Sequence, residues 1–427
     1  MTKALFAVIV VALAVAALML PVLPAPEPAP GAAVDLPAVA VCPVEEGGGR
    51  ATTIAVASTQ SGTGRVSAFV GGAMAGSVPF ETGSGAITVP ASDLAAVGVV
   101  TGLVELPGPE AAAASLMVGT DSVGHESCVR SAEPLTLLSG GDTTGDREFE
   151  IHLMNPYSGE ATVDLTVRSE SGIESASQLR GIAVPSRSSV IVDMDEVLPG
   201  RESLAVAIDV TSGSVTAAGR LLSSGGIAIW NAVSPGQDWF LPIPSGGVDR
   251  VYISTGVGDD VEYQLDLYGP EGLVEAFDQG MVPARGSVAV DVAAAATAEA
   301  VAFRVVSTQP VGVFLRHEGE DGLALTSGST VTASRWLLPG AGMAGGSGRI
   351  VVLNAGLEDA TATITAYGRE TVVKGPPVRA GTVLEFASIS DGASAYTVTG
   401  EGLLVPMWVT TTGTATSYAG GVPLIDE

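Results

Sequence analysis

The sequence predicts an all-β protein made of tandem immunoglobulin-like β-sandwich domains that follow an amino-terminal helix. Three observations support this prediction: short alternating apolar segments, a composition with 55 Gly and 26 Pro, and a block that repeats about every 100 residues. β-Branched residues favour strands, and Gly and Pro favour the turns between them. About seven short strands per ~100 residues are typical of such a sandwich.

The repeat is clearest where an alternating strand ends on a polar residue. Asn155, Thr255 and Asn354 end three such strands at separations of 100 and 99 residues, and Ser58 ends a weaker copy. The first of the clear copies, residues 147–167, has the pattern of a β-hairpin. Because single domains commonly contain about 100 to 150 residues, each repeat is expected to be a whole domain.

A second block confirms the spacing of the repeat. The pattern Pro-x-Arg-x-Ser/Gly-x-x-x-Asp/Glu occurs at 185–193, 283–291 and 377–385. Trp239 and Trp336 begin two units in the pattern Trp-x-Leu-Pro. A single active site would not need three copies, so we interpret the block as a turn followed by a strand and the two tryptophans as packing residues.

These markers divide the chain into six segments. They are a signal anchor or signal peptide (1–24), a Pro/Ala linker (25–38) and four β-sandwich domains (39–133, 134–235, 236–333 and 334–427). The alternative is a β-propeller in which each repeat supplies two four-stranded blades. No half-period is visible within a repeat, and this favours the sandwich.

The amino terminus predicts a location outside the cytoplasm. Residues 4–20 form an uninterrupted apolar run preceded by Lys3. This length lies between that of a signal peptide and that of a membrane-spanning helix. Positive charge favours the cytoplasmic side, so we expect a single amino-terminal span at the cell membrane with the remainder of the chain extracytoplasmic, or a secreted protein if the segment is cleaved.

The chain contains two cysteines, Cys42 and Cys128, at the first and last predicted strands of the first domain. Outside the cytoplasm such a pair is expected to form a disulfide.

Charge and motifs exclude several classes of function. The net charge of −27, from 19 basic and 46 acidic residues, repels a nucleic-acid backbone, so no nucleic-acid partner is expected. His125, His152 and His317 lie in different domains and outside any H-E-x-x-H motif. The acidic loops 142–146 and 259–260 do not match a calcium-binding EF-hand. We therefore predict no catalytic residue, no cofactor and no metal.

Two further tryptophans allow a sharper alternative. Trp230 and Trp408 lie on late strands of their domains and are expected to be buried. If they were exposed, they would offer aromatic platforms for glycans.

Several features together resemble an uncharacterised family of actinobacterial extracytoplasmic proteins of the domain-of-unknown-function 5719 type. They are the amino-terminal apolar segment, the Cys42-Pro43 start, the patterns Ile350-x-Val352-x-Asn354 and Pro283-x-Arg285-x-Ser287, and the scarcity of lysine. The resemblance covers most of the chain. It implies a location in the cell envelope and supplies no catalytic residues.

The favoured hypothesis is a non-enzymatic, membrane-anchored protein of the cell envelope. Its four domains would form a rod that acts as a scaffold or binds another envelope protein. The alternative is an array of carbohydrate-binding modules that hold cell-wall glycan, and a cell-wall hydrolase is the third hypothesis.

Overall fold

The protein is described by a computed structural model. The described residues are 34–35, 39–47, 49–83, 85–94, 98–120, 122–224, 226–246, 250–295, 299–319, 322–341, 343, 347–367, 371–387, 393–412 and 415–424. Most of them lie in strands, and the prediction of an all-β fold is confirmed. The described helical turns are short: Ala91–Leu94, Ser177–Leu179 and Met194–Val197.

The strands group into four successive units. The first unit and its flanking strands contain β1 (Val34–Asp35), β2 (Val39–Gly47), β3 (Arg50–Ser58), β4 (Gly62–Val70), β5 (Ala73–Thr82), β6 (Gly85–Pro90), β7 (Gly98–Glu105), β8 (Ala111–Val118), β9 (Val123–Ser127) and β10 (Ser131–Ala132). The second contains β11 (Leu135–Gly141), β12 (Glu148–Asn155), β13 (Ala161–Ser169), β14 (Gly172–Ile173), β15 (Ile182–Val184), β16 (Ser188–Asp193), β17 (Leu204–Ser212), β18 (Thr216–Ser223) and β19 (Gly226–Asn231).

The third and fourth units have the same order with fewer, longer strands. The third contains β20 (Gly236–Ile243), β21 (Arg250–Ser254), β22 (Val261–Gly269), β23 (Gly272–Val282), β24 (Ser287–Asp291), β25 (Val301–Gly319) and β26 (Gly322–Ser327). The fourth contains β27 (Ala333–Pro339), β28 (Ser347–Asn354), β29 (Ala360–Tyr367), β30 (Thr371–Val378), β31 (Thr382–Ala387), β32 (Ala395–Thr412), β33 (Ala415–Gly420) and β34 (Val422–Pro423).

Each unit is a sandwich of antiparallel sheets. In the second unit one sheet has the order β11-β17-β13-β14 and the other β16-β12-β18-β19. In the third and fourth units one long strand, β25 or β32, takes the place of the two strands β17 and β18. Each long strand pairs in both sheets of its unit and so crosses from one to the other. In an immunoglobulin sandwich the second strand and the last-but-one strand lie in different sheets. In the second unit the second strand, β12, pairs with β18, the last-but-one strand. The β-sandwich is therefore confirmed, but its strand order differs from the immunoglobulin one.

Four equivalent strands, β9, β19, β26 and β33, lie at the centre of the molecule. β19 packs against β9 and β26, and β33 packs against β26 and β9. The fourth unit contacts the first unit, and this contact closes the cycle of units. The backbone N–H of His125 in the first unit donates to Ser417 Oγ in the fourth at 2.8 Å. The four units therefore form a ring, and the predicted rod is wrong, because each of these four apolar strands is buried against strands of two neighbouring units.

Hydrophobic cores continue across the boundaries between units. Tyr252 and Leu325 of the third unit pack into the core of the second. Tyr418 of the fourth unit packs into the core of the third. Ala57 of the first unit packs with Leu337 of the fourth. Burial of apolar surface at the boundaries thus stabilises the closed ring.

The polar residue that ends the repeated strand closes the following turn. The Asn155 side-chain amide donates to the carbonyl oxygens of Gly159, at 2.7 Å, and Val184, at 3.0 Å. The Asn354 amide makes the same two kinds of hydrogen bond in the fourth unit. The repeated asparagine is therefore explained by its structural role in closing this turn.

The second repeated block forms a tight turn, but its third copy is displaced. Arg187 and Arg285 adopt positive φ angles of 47° and 50°. In the fourth unit Gly381 has the positive φ, 65°. Gly381 directly precedes the residue that pairs with Asn354 across the sheet. In the same way, Arg187 directly precedes the residue that pairs with Asn155. The copy predicted at 377–385 is therefore two residues out of register, and glycine occupies the turn because it adopts positive φ without steric cost.

The prediction of a single membrane span is corrected. The helices found among the described residues are all too short, or too polar, to cross a membrane. The predicted span (1–24) lies outside the described residues, as does most of the predicted linker (25–38). The structure therefore does not support a single amino-terminal span or the cell-membrane location that was derived from it.

Candidate functional site

A charged cleft lies where the second unit meets the third. Its volume is about 600 Å³. Its charged lining residues are Asp142, Arg147, Glu202, Arg250, Asp291, Arg316 and Glu318. The first three come from loops of the second unit, and the last four come from strands of the third.

The floor of the cleft is an ion-pair network around Arg316. This arginine is buried on β25 and donates to the carbonyl oxygen of Gly140 at 2.9 Å. It forms ion pairs of 2.7 Å with both Asp142 and Glu318. Asp142 is also buried, so its partners replace the water that it loses. The network joins the two units.

Arg147 forms a second layer above this network. Its guanidinium lies 3.1 Å from Asp142 Oδ1 and also pairs with Glu318. Burial alone would raise the pKa of Glu318, but the charge of Arg316 and the hydrogen bonds from both arginines outweigh burial and lower that pKa below its usual range. Glu318 is therefore ionised at neutral pH and acts as an acceptor.

The rim of the cleft carries charged side chains with few partners among the described residues. Arg250, at the start of β21, is exposed, and its side chain makes no hydrogen bond or ion pair with any residue that the structure describes. Asp291 is its cross-strand neighbour in the ladder, and one Asp291 oxygen accepts from the backbone N–H of Ala293 at 3.0 Å. The Glu202 carboxylate also faces the cleft. One cation and two carboxylates are thus available to a polar ligand that carries both signs of charge.

The two cysteines predicted to pair do form a disulfide. Cys42 and Cys128 are bonded, with their Cα atoms 4.7 Å apart. The bond joins β2 to the end of β9, so the first unit is closed next to the central strands.

The predicted glycan platforms are buried, and that alternative is wrong for these two residues. Trp230 and Trp408 each have 0% exposure. Trp230 stacks on Phe149 with ring centroids 5.7 Å apart, and Trp408 stacks on Tyr396 at 5.0 Å. Both side chains fill sandwich cores and cannot contact a sugar.

Trp239 and Trp336 are packing residues, as predicted. Both are buried. The Trp239 indole N–H donates to a carbonyl of β25 at 2.9 Å, and that of Trp336 donates to a carbonyl of β32 at 2.9 Å. Each tryptophan thus ties the first strand of its unit to the long crossing strand.

The three histidines have separate structural roles. His125 Nε2 lies 3.0 Å from the carbonyl oxygen of Pro339, and burial lowers its pKa to about 4. His152 pairs with Glu150, and the ring of His317 packs against that of Tyr418. Within the described ranges no three His, Cys, Asp or Glu side chains are grouped to hold a metal.

The sequence identified only part of the cleft. The acidic loop 142–146 contains Asp142, which the cleft uses, whereas Asp260 of the loop 259–260 accepts from the backbone N–H of Ala284 at 2.8 Å. Arg250, Arg316 and Glu318 were not predicted. A signal was available, because Arg250 replaces an acidic residue, Glu150, at the same place in the repeat.

Comparison with known proteins gives little functional information. No curated protein matches the chain. A Thermotoga maritima protein, 1070, is similar at 15% identity over 23% of this chain and 96% of its own, with a TM-score of 0.20. The lipid-containing bacteriophage PM2 structure matches at 9% identity over 63% and 84%, TM-score 0.14. A triple jelly roll structure from an archaeal virus matches at 13% identity over 68% and 87%, TM-score 0.14. These TM-scores support no inference.

The match to a protein family is more extensive. The model of a family described as "Family of unknown function (DUF5719)" matches residues 123–251 and 224–414. The two matches begin next to β9 and β19, which are the equivalent central strands of the first and second units. Together they cover more than half of the 427 residues. The predicted family is therefore confirmed, and the chain belongs to the DUF5719 family.

Proposed function

We propose that the protein is a non-enzymatic binding protein whose closed ring of β units acts as a scaffold and whose charged cleft receives a partner protein. The observation that carries this proposal is Arg250 on the rim, which is exposed, has no side-chain partner among the described residues and lies beside the carboxylates of Asp291 and Glu202. Such a charged side chain is available for recognition.

The floor of the cleft supports binding rather than proton transfer. A general acid works best when its pKa lies near the operating pH. The arginines beside Glu318 instead hold its pKa below the usual range. Asp142 is fixed by ion pairs with Arg147 and Arg316. Such a network gives the cleft a rigid shape and a fixed charge pattern, and these favour specific association.

The proposed occupant is a protein segment that carries an acidic and a basic side chain. The acidic side chain would pair with Arg250, and the basic one with Asp291 and Glu202. The net charge of −27 would attract a partner whose surrounding surface is basic. A glycan partner has lost its main support, since Trp230 and Trp408 are buried.

The test is equilibrium binding measured by fluorescence anisotropy with labelled model peptides. The probes are short peptides of mixed Glu and Lys, all-Glu peptides, all-Lys peptides and a neutral oligosaccharide. We expect the mixed peptides to bind best and to bind more weakly as salt increases, because salt screens charge pairs at the rim. Arg250→Ser should weaken their binding about tenfold, or about 1.4 kcal/mol.

The matched control is Arg65→Ser. Arg65 is an exposed arginine in the first unit, 4.0 Å from Glu105 and outside the cleft. Its loss removes the same charge from the protein and should leave peptide binding unchanged. Equal effects of the two variants would show that the peptides respond only to net charge and would refute the cleft as the binding site. Preferential binding of the oligosaccharide would refute the protein partner.

A further inference from the structure

β23 ends a sheet of the third unit with one of its sides unpaired. It pairs with β22, and within the described ranges no strand pairs with its other side. In an antiparallel ladder some backbone N–H and C=O groups of a strand point towards one neighbour, and the rest point the opposite way. The groups of β23 that point away from β22 are therefore a template for a further strand.

The side chains of β23 expose apolar surface. Four of the twelve large apolar side chains that are exposed in the described part of the chain lie on this strand: Leu273, Val274, Phe277 and Met281. Each of them is between 40% and 52% exposed. Single exposed apolar residues are normal on a protein surface, whereas a concentration of them on one strand indicates an interaction site.

The equivalent edges of the other three units, which pair with β4, β13 and β29, are protected. In the first unit β5 contains Pro79, and in the fourth β30 contains Lys374, Pro376 and Pro377. In the second unit a helical turn that buries Leu179 divides the edge into the short strands β14 and β15. Proline, lysine and short strands prevent an edge from pairing with another chain. β23 has 11 residues and contains neither proline nor lysine.

A bulge divides β23 but leaves a regular half. Residues 275–277 lie together opposite Asp266, and Ala276 adopts a positive φ of 52°. The backbone N–H of Ala276 donates to Asp266 Oδ1 at 2.9 Å and so fixes the bulge. Beyond it, residues 278–282 pair one for one with residues 261–265. This regular half has the length of an average strand, about 5 to 6 residues, and is long enough to pair with a further one.

The hairpin formed by β22 and β23 is acidic. Residues 261–282 contain no lysine or arginine but have five carboxylates: Glu262, Asp266, Glu271, Glu275 and Asp278. The three glutamates are exposed. On the next strand, β25, Arg304 faces Asp266, but its guanidinium is held by Asp238 at 2.7 and 2.8 Å. The hairpin therefore complements a segment that carries basic side chains.

We propose that β23 is a docking edge for an extended segment of a partner protein, which alternates apolar and basic side chains and adds to the sheet as a further strand. Alternate side chains of a strand point to opposite faces, so Met281 and Asp278 of the regular half lie on different faces. An alternating segment would match both. Its main chain would supply affinity and its side chains specificity.

A second copy of this chain does not fit the docking edge. Two β23 strands would bring their carboxylates together, and like charges on facing strands are destabilising. The docking edge contributes no residue to the charged cleft, so it would act independently of the binding proposed there.

The test is fluorescence anisotropy of the full chain with labelled peptides of about six residues. One peptide alternates Val and Lys, and a second alternates Val and Glu. A third has the Val/Lys sequence with N-methyl groups on consecutive residues, so that neither of its edges can donate hydrogen bonds. We expect the Val/Lys peptide to bind and the Val/Glu peptide not to bind. The methylated peptide should bind at least about tenfold more weakly, because strand addition needs the main-chain donors.

Met281→Lys should weaken binding of the Val/Lys peptide about tenfold, because it replaces an apolar contact at the docking edge with a like charge. The matched control is Met74→Lys, at an exposed methionine on β5, the edge that contains Pro79. It makes the same change of charge and should leave the affinity unchanged. In the complex, the backbone N–H groups of residues 278–282 should exchange hydrogen more slowly, since the added strand covers them.

Equal losses in Met281→Lys and Met74→Lys would show that the peptide responds only to net charge, and this would overturn the docking edge. Full binding of the methylated peptide would exclude strand addition, and this measurement does not depend on the folding of any variant. A weaker affinity in Arg250→Ser would place the Val/Lys peptide in the charged cleft instead. A dimer in sedimentation that Met281→Lys dissociates would assign the edge to a second copy and overturn the partner segment.

Discussion

The boundary between the first and second units and the boundary between the second and third are built on the same plan, yet only the second of them carries the charged cleft. Arg220 and Arg316 occupy equivalent positions, since each is opposite the same place in the repeated strand, Glu150 or Arg250. Each arginine also pairs with an acid from the preceding unit: Glu45 in one case and Asp142 in the other.

The difference lies in the residue opposite the buried arginine. At the first boundary Glu150 pairs with Arg220 and with His152, and the arginine is enclosed by carboxylates. At the second boundary the opposite residue is Arg250, which has the same charge as Arg316. Like charges repel, so Arg250 lies exposed on the rim. Reversal of charge at one strand position thus accompanies the change from a closed ion pair to an open cleft.

The third boundary shows that arginine at this position is not sufficient to open a cleft. Arg349 is the equivalent of Arg250, but the residue opposite it is Val409. Arg349 therefore faces no arginine across the ladder. Its guanidinium pairs with Glu385 at 3.1 Å and donates to the carbonyl oxygen of Ser245 at 3.2 Å. Among these three boundaries, the exposed rim arginine occurs where two arginines face each other across the ladder.

The largest expected effect comes from removing the buried arginine at each of the two boundaries. Arg220→Met should reduce the free energy of unfolding by about 3 to 5 kcal/mol, because it removes the cation shared by the buried Glu45 and the largely buried Glu150. Arg316→Met should cost less, about 2 to 3 kcal/mol, because Arg147 still contacts both Asp142 and Glu318. Urea unfolding of both variants measures the difference.

The order of the two stability losses depends on which arginine still contacts the carboxylates after the substitution. Arg50 contacts Glu45 but has no ion pair with Glu150 among the described residues, so Glu150 would retain only His152. Arg65→Met, at an exposed and weakly paired arginine, is the control and should cost less than about 1 kcal/mol. If Arg316→Met were the more damaging variant, the proposed compensation by Arg147 would be wrong.

The sequence predicts the sandwiches but not the ring, for a physical reason. Strand alternation, the polar turn residues and the two cysteines are local or paired signals, so the all-β fold, the Asn155 repeat and the disulfide were predictable. Closure depends on contacts such as His125 to Ser417, which are 292 residues apart. No periodicity reports such a contact. The cleft is intermediate, because the charge reversal from Glu150 to Arg250 is visible but the opposing arginines become neighbours only in the folded sheet.

The next effect concerns acid stability and distinguishes the same two positions. Burial alone would raise the pKa of Glu150, but the hydrogen bond with His152 and the charge of Arg220 lower it from 4.5 to about 2. The unfolded chain therefore binds the proton more readily, and this contribution to stability is present above pH 4.5 and is lost as the pH falls from 4.5 towards 2. Between pH 6 and pH 3 the loss should be about 2 kcal/mol.

Denaturant unfolding at pH 6 and pH 3 tests this expectation. Glu150→Gln should lose about 2 kcal/mol less than wild type over this interval, because it lacks the titrating group. Arg250→Ser, the change at the equivalent position, should lose as much as wild type. An identical pH dependence for Glu150→Gln and wild type would show that the ion pair at the first boundary does not control acid stability.

The smallest expected effect is the most informative about function. Arg250→Ser should change the free energy of unfolding by less than about 0.5 kcal/mol, because the Arg250 side chain is exposed and has no partner among the described residues. Glu150→Gln at neutral pH should cost about 2 kcal/mol, since it leaves the buried Arg220 with one carboxylate fewer. Thermal unfolding of the two variants at pH 7 gives the comparison directly.

A small effect on stability together with a tenfold loss of peptide binding would assign Arg250 to recognition. A loss above about 1 kcal/mol would instead mean that Arg250 supports the fold as Glu150 does, and the cleft would then be an imperfectly packed boundary. The comparison is direct because Glu150 and Arg250 occupy the same position of the repeated strand, and each faces an arginine on the neighbouring strand. The side chain that the ring does not need for its own stability is the one that remains available to a partner.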